Sequence, residues 1–212
     1  MDRRSFFRRA AQKAGHTLVR EADERVKARA RHWLRPPYAI DELDFLLACT
    51  RCGECISACP HQVIFALPAR LGAQVTGTPA LDLLNHGCHL CADWPCVAAC
   101  EPGALRLPET AQGQEPGVDT PPPPPRLATA RIDTTRCLPY QGPECGACDG
   151  SCPVDGALSW EQFKPKIDSA LCTGCGLCRE TCIVEPKAVQ IEALQPEPSQ
   201  PASDGRQERR DG

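Results

Sequence analysis

The chain has 212 residues, 16 of them Cys, with 22 Pro and 16 Gly but only 3 Trp, 2 Tyr and 5 Phe, so one or two modest domains must be held by something besides an apolar core. No uncharged stretch approaches the roughly 18 to 20 apolar residues of a spanning helix, which excludes a transmembrane protein. The net charge of -3 divides into +7 over residues 1–35 and -10 over residues 36–212; the acidic body argues against nucleic-acid binding, and the basic arm calls for an acidic surface to receive it.

Residues 1–37 are expected to form a basic helical arm. Phe7, Ala11, Ala14, Leu18, Ala22, Val26, Ala30 and Trp33 recur at three- and four-residue steps, and Pro36-Pro37 end the helix. The thin apolar stripe is expected to pack on its own protein rather than on a membrane. The arm opens with Arg3-Arg4-Ser5-Phe6-Phe7, a twin-arginine-like start. The longest uncharged run behind it is only Ala14 to Val19, too short for the apolar region of an export signal. The expected location is cytoplasmic; the alternative is periplasmic, with membrane association through a partner.

The cysteines fall into four groups of four, an internal repeat. The first, Cys49, Cys52, Cys55 and Cys59 followed by Pro60, is the C-x2-C-x2-C-x3-C-P run of bacterial cluster ferredoxins. A 28-residue link containing HQVIFALPA and LDLL leads to the second group, Cys88, Cys91, Cys96 and Cys100, whose middle gap is widened by Asp93-Trp94-Pro95. Next comes Pro108 to Arg126, with five prolines at 121 to 125: either a semi-rigid polyproline II spacer of about 15 Å or an insertion with no spacing role. In the third group, Cys137, Cys145, Cys148 and Cys152 with Pro153, a seven-residue loop widens the first gap, and a three-iron form is open to its cluster. Val154 to Leu171 reads as strand-turn-strand, its GALSW mirroring the GALRL of Gly103 to Leu107. Ala130 to Asp133 and Ala188 to Ile191 are expected as strands that close a small sheet. The fourth group, Cys172, Cys175, Cys178 and Cys182, repeats the first spacing with Ile183 in place of proline. Residues 195–212 read as a disordered tail.

The spacing has a physical reason. Three cysteines at two-residue intervals in a Gly-rich loop aim their sulfurs into one concavity, and the fourth, a short turn further on, reaches the cluster of a paired group. The expected ligands are Cys49, Cys52, Cys55 and Cys100 for a first cluster and Cys88, Cys91, Cys96 and Cys59 for a second. Cys137, Cys145, Cys148 and Cys182 would hold a third, and Cys172, Cys175, Cys178 and Cys152 a fourth, giving four 4Fe-4S clusters. A nested pairing, first group with fourth and second with third, stays open. Disulfides compete poorly, since cysteines two apart along a loop rarely bridge and an oxidising compartment is required. Zinc usually takes two separated Cys pairs, often with His. The expected fold class is α+β: two ferredoxin-like two-cluster modules with small sheets, short helices and long loops. The expected domains are the arm 1–37, a first module 38–107, a linker 108–126, a second module 127–194 and the tail 195–212.

The order of the four groups, the Cys137-Leu138-Pro139-Tyr140-Gln141 run and Arg35-Pro36-Pro37 ahead of the first group resemble the Nap-type and Mau-type polyferredoxins (NapF, NapG, MauM) over about Arg3 to Ile191. The twin-arginine-like start resembles NapF, whereas the second and fourth groups resemble NapG. The resemblance implies electron transfer around a molybdenum or quinol-linked respiratory enzyme, with an oxidoreductase catalytic subunit or membrane quinol dehydrogenase as redox partner. The alternative is a cytoplasmic accessory protein for maturation of such an enzyme. No nucleotide-binding loop, radical motif or Ser-His-Asp signature is present, so a carrier rather than an enzyme is expected. His61 and His89, next to the first and second groups, are expected as hydrogen-bond donors or surface residues, not ligands. Trp94 either packs over the second cluster or is an ordinary loop aromatic.

Overall fold

A computed structural model describes Glu21 and residues 33–108 and 122–194. The expected helical arm, apart from Glu21 and its last residues from Trp33, lies outside the described residues, as do most of the linker and the tail. Among the described residues no helix is long and apolar enough to cross a membrane.

A proline-anchored segment starts the first stretch. Leu34 bridges Leu81, and Pro36 and Pro37 are fully buried. Arg35 is the clamp: its guanidinium lies 4.4 Å from the centroid of the Phe45 ring, pairs with Glu42 at 2.5 Å, and donates to Thr78 Oγ1 and the Pro79 carbonyl at 2.9 and 2.7 Å. Both members of the ion pair are nearly buried, and each is satisfied by further bonds, as burial of charge requires. Helix α1, Glu42–Ala48, follows; its inward residue Phe45 is completely buried. It stops at Cys49, which is extended at φ -66°, ψ 113°.

After α1 come the one-turn helix α2, Glu54–Ser57, the strand β1, Ile64–Ala66, a short 3-10 turn, Ala69–Leu71, the strand β2, Pro79–Leu81, and the one-turn helix α3, Pro95–Ala98. β1 and β2 pair antiparallel with Phe65 opposite Ala80. β2 is buried along its whole length because Leu34 lies on its other side, where the Leu81 N-H donates to the Leu34 carbonyl at 2.7 Å. The chain beyond α3 returns beside the entry segment: Ala39 bridges Leu105, and the N-H groups of Ile40 and Arg106 donate to Ala104 and Tyr38.

The second stretch repeats this order. Strand β3, Thr129–Ile132, precedes the one-turn helix α4, Leu138–Gln141; a hairpin of β4, Leu158–Glu161, and β5, Lys164–Ile167, comes next; helix α5, Leu177–Glu180, and strand β6, Val189–Glu192, close it. The segments expected to form a sheet do pair, β3 with β6 antiparallel and Ala130 opposite Ile191. One expected equivalence does not hold. GALSW enters β4 of a hairpin, whereas GALRL pairs with Tyr38 to Ile40, the place β6 takes in the second stretch. Both follow a cysteine group through a Gly turn into an apolar step, and that shared local need produced the likeness.

The core does not divide at the linker. The main apolar cluster contains Phe45, Ile64, Leu83, Trp94 and Leu105 of the first stretch together with Leu127, Ala128 and Cys175 of the second. In the middle of the proline run the Tyr38 hydroxyl donates to the Pro123 carbonyl at 3.0 Å, so this part of the linker is tied to the entry segment.

Candidate metal centres

The first and fourth cysteine groups adopt one backbone. Gly53 and Gly176 precede their helices at φ 83° and 84°, each with ψ -3°, a left-handed conformation that favours glycine. Ala58 and Thr181 end those helices at nearly identical dihedrals. Cys49 and Cys137, the leading cysteines of the first and third groups, match too, with ψ 113° and 119° at φ -66° and -67°.

Cys49, Cys52, Cys55 and Cys100 line one cavity, about 380 Å3 of atom-free space with its mouth included, walled by Phe45, Ile56 and Leu105. Three of those sulfurs come from the first group and one from the second. The Leu105 N-H donates to Cys100 Sγ at 3.3 Å. Burial pushes the Cys55 thiol up to about 11, and the neighbouring Cys100, Cys49 and Cys52 charges add to it.

Cys59, Cys88, Cys91 and Cys96 line a second cavity of about 340 Å3 measured the same way, walled by Val63, Ile64, Leu81 and Trp94. Trp94 adopts φ 45° at the start of α3 and meets Tyr38 edge-on at 4.8 Å between centroids. It is buried in this wall. His61 and His89 stack at 3.5 Å between centroids and 7° between planes on the same cavity. Partial burial, then the His61 charge, holds His89 below its ordinary value. Burial pushes Cys88 and Cys96 up to about 12.

In the second stretch, Cys137 is raised by burial and by the charges of Cys182 and Cys145. Cys148, pushed up to about 11 by burial, has Cys137, Cys182 and Cys145 as its charged neighbours. The charge of Cys182, from the fourth group, thus acts on thiols of the third. Cys172 and Cys175, both raised by burial, have Cys152 of the third group beside them, and burial pushes Cys178 up to about 12.

All sixteen cysteines are free thiols. Among the described residues no three His, Cys, Asp or Glu side chains converge tightly enough for a single metal ion. In the first stretch the cysteines instead line two cavities, four to each, as a polynuclear cluster needs. Two buried donors fit the same chemistry: Trp160 Nε1 and Thr173 Oγ1 have no hydrogen-bond partner of normal geometry, yet Trp160 shares a pocket with Cys145 and the Thr173 hydroxyl acts on the Cys175 thiolate. Cluster sulfide would give such donors an acceptor.

Two contacts of these walls escaped the sequence, although His61, His89 and Trp94 stand out in it. The His61-His89 stack and the Tyr38-Trp94 contact join positions 28 and 56 apart in the chain, for which no local pattern exists. Thr173 had a signal, its place between the first two cysteines of a group.

Residues 47–65 match the 4Fe-4S binding domain family. The ferredoxin-type protein NapG of Haemophilus influenzae is 32% identical over 90% of this chain and 71% of its own length. The methylamine utilization ferredoxin-type protein MauM of Methylophilus methylotrophus is 33% identical over 90% of this chain and 86% of its own, and the ferredoxin-type protein NapF of Escherichia coli 31% over 78% and 88%.

Proposed function

Because the chain belongs to the ferredoxin-type protein family of NapG, MauM and NapF, we propose that it is an electron carrier with four 4Fe-4S clusters in two ferredoxin-like modules. The modules are residues 38–107 and 127–194, flanked by the arm 1–37, the linker 108–126 and the tail 195–212. Each cluster supplies one-electron chemistry, with no bond to substrate made or broken.

The observation that carries the proposal is the mixed origin of the sulfurs. Each of the two cavities of the first module draws three cysteines from one group and the fourth from its neighbour, the exchange expected of a two-cluster ferredoxin. Cys49, Cys52, Cys55 and Cys100 would hold one cluster, and Cys88, Cys91, Cys96 and Cys59 the next. Cys137, Cys145, Cys148 and Cys182, then Cys172, Cys175, Cys178 and Cys152, complete the set, and the charges felt by Cys148 and Cys178 support the same exchange. Phe45, Trp94 and the apolar walls shield the buried Cys55, Cys88 and Cys96 from water, while the N-H groups of Leu105 and Gly174 donate to Cys100 and Cys172 sulfur.

After anaerobic reconstitution the chain should hold about sixteen iron and sixteen sulfide, four of each per cubane, and give reducible cubane EPR signals. Stoichiometric zinc without sulfide overturns the proposal. The redox partner belongs to the same proposal, an oxidoreductase catalytic subunit or a membrane quinol dehydrogenase, as does a cytoplasmic location. Rapid oxidation of the reduced protein by the partner tests the first, and fractionation of a tagged chain the second.

A further inference from the structure

Cysteines of the second and fourth groups meet across the two halves of the chain. The Cys88 N-H donates to the Cys175 carbonyl at 2.8 Å, a backbone bond between the leading loop of one group and the centre of the other. On either side the approach is closed to a larger residue. A Cβ on Gly87 would lie 2.6 Å from Leu177 Cδ2 and 2.7 Å from the Leu177 backbone nitrogen, and one on Gly176 would lie 3.2 Å from the Leu83 carbonyl oxygen. Helix α5 adds two ties: Glu180 accepts from the Gly87 N-H at 2.7 Å, and Arg179 Nε donates to the Leu84 carbonyl at 3.0 Å. Cys88 and Cys175 are both buried in the one apolar cluster that spans the halves.

We infer that electrons cross between the halves at this Gly87-Cys88 to Cys175-Leu177 contact, so that the four cysteine cages stand in the spatial order first, second, fourth, third. The inference rests on the four-cluster reading above. With clusters bound, the one held by Cys88 would give up one electron and the one held by Cys175 would take it, or the reverse. The ends of the path are then the first and third cages, where donor and acceptor must dock.

The contact can be opened without touching a ligand. Gly87 is not in the left-handed region, so Gly87→Val adds volume against Leu177 without strain in its own backbone. Full-length reconstituted protein, reduced with dithionite, should show one EPR interaction pattern linking all four clusters. In Gly87→Val, with iron and sulfide at the unsubstituted level, that pattern should break into two independent two-cluster patterns, and a four-cluster pattern that persists unchanged overturns the inference. If Gly87→Val takes up no iron, Arg179→Ala/Glu180→Ala, which removes the two ties without adding volume, is read the same way. Unsubstituted protein with far less than sixteen iron would instead count against the four-cluster reading itself.

Discussion

Thr173 separates two uses of a buried hydroxyl. The residue is 3% exposed, and its carbonyl accepts from the N-H groups of Leu127 and Ala128 at 2.8 and 3.3 Å, which fixes it beside the fourth cysteine group. Its Oγ1 has no partner of normal geometry, and an orphaned buried hydroxyl costs about 1–3 kcal/mol. The hydroxyl opposes the burial that raises Cys175, and a cluster sulfur held beside Cys175 would supply the acceptor it lacks. A donor to cluster sulfur favours the reduced, more negative state. Thr173→Val keeps the shape and deletes the donor; it should lower the midpoint potential of one cluster by on the order of 20–60 mV, the electrical equivalent of one hydrogen bond. Unchanged potentials with a gain in thermal stability would mean that the hydroxyl is simply unsatisfied. Gly174, next in the chain, has no such latitude: at φ 72° its Cβ would lie 2.1 Å from the Ala128 carbonyl oxygen.

At the scale of elements, the β4-β5 hairpin carries an unusual turn. Glu161 pairs with Lys164, so Gln162 and Phe163 alone make the loop, and both have positive φ, 48° and 63°. That is the type I′ geometry that Asn-Gly satisfies without strain, whereas an ordinary residue there costs roughly 1–2 kcal/mol. Phe163 is 88% exposed and recovers little by burial. Gln162→Asn with Phe163→Gly should raise the unfolding midpoint of the reconstituted protein by roughly 2–4 °C for each kcal/mol relieved, read by anaerobic differential scanning fluorimetry; a lower midpoint would show that Phe163 makes contacts its exposure conceals. This hairpin, and the pairing of β3 with β6, were legible because each strand has four residues beside a cysteine group that marks its end. The cysteine loops were legible for the same reason, since metal spacing repeats where propensity does not. The pairing of Tyr38 to Ile40 with Ala104 to Arg106 was not, being non-local and only three residues long. Nor was the Arg35 clamp, whose partners Thr78 and Pro79 lie 43 and 44 residues away.

For the molecule as a whole, the two halves differ in what holds them without iron. The first buries Phe45, Val63, Ile64, Leu67, Leu81, Leu83 and Trp94, whereas among the described residues from Leu127 onward the buried apolar ones are Leu127, Pro165, Val189, four alanines and two cysteines. Small side chains bury little area, so ligand bonds to metal must supply more of the second half's folding free energy. Protons bear on this in two opposed ways. In the metal-free chain, burial raises Cys55 and Cys148 to about 11 and Cys88, Cys96 and Cys178 to about 12, above the roughly 8.5 of an unfolded thiol. Their contribution to the metal-free fold is thus complete below about pH 8.5 and is lost as the pH climbs through those raised values. With iron bound the ligands are thiolates, protons compete with metal, and acid releases it. The brown absorbance of the holoprotein should therefore bleach faster as pH falls, while the metal-free chain melts lower as pH rises. On chelation at neutral pH, hydrogen exchange should show residues 127–194 losing protection before residues 33–108. Simultaneous loss, or loss from the first half, would show that the small-residue core is sufficient without its metal.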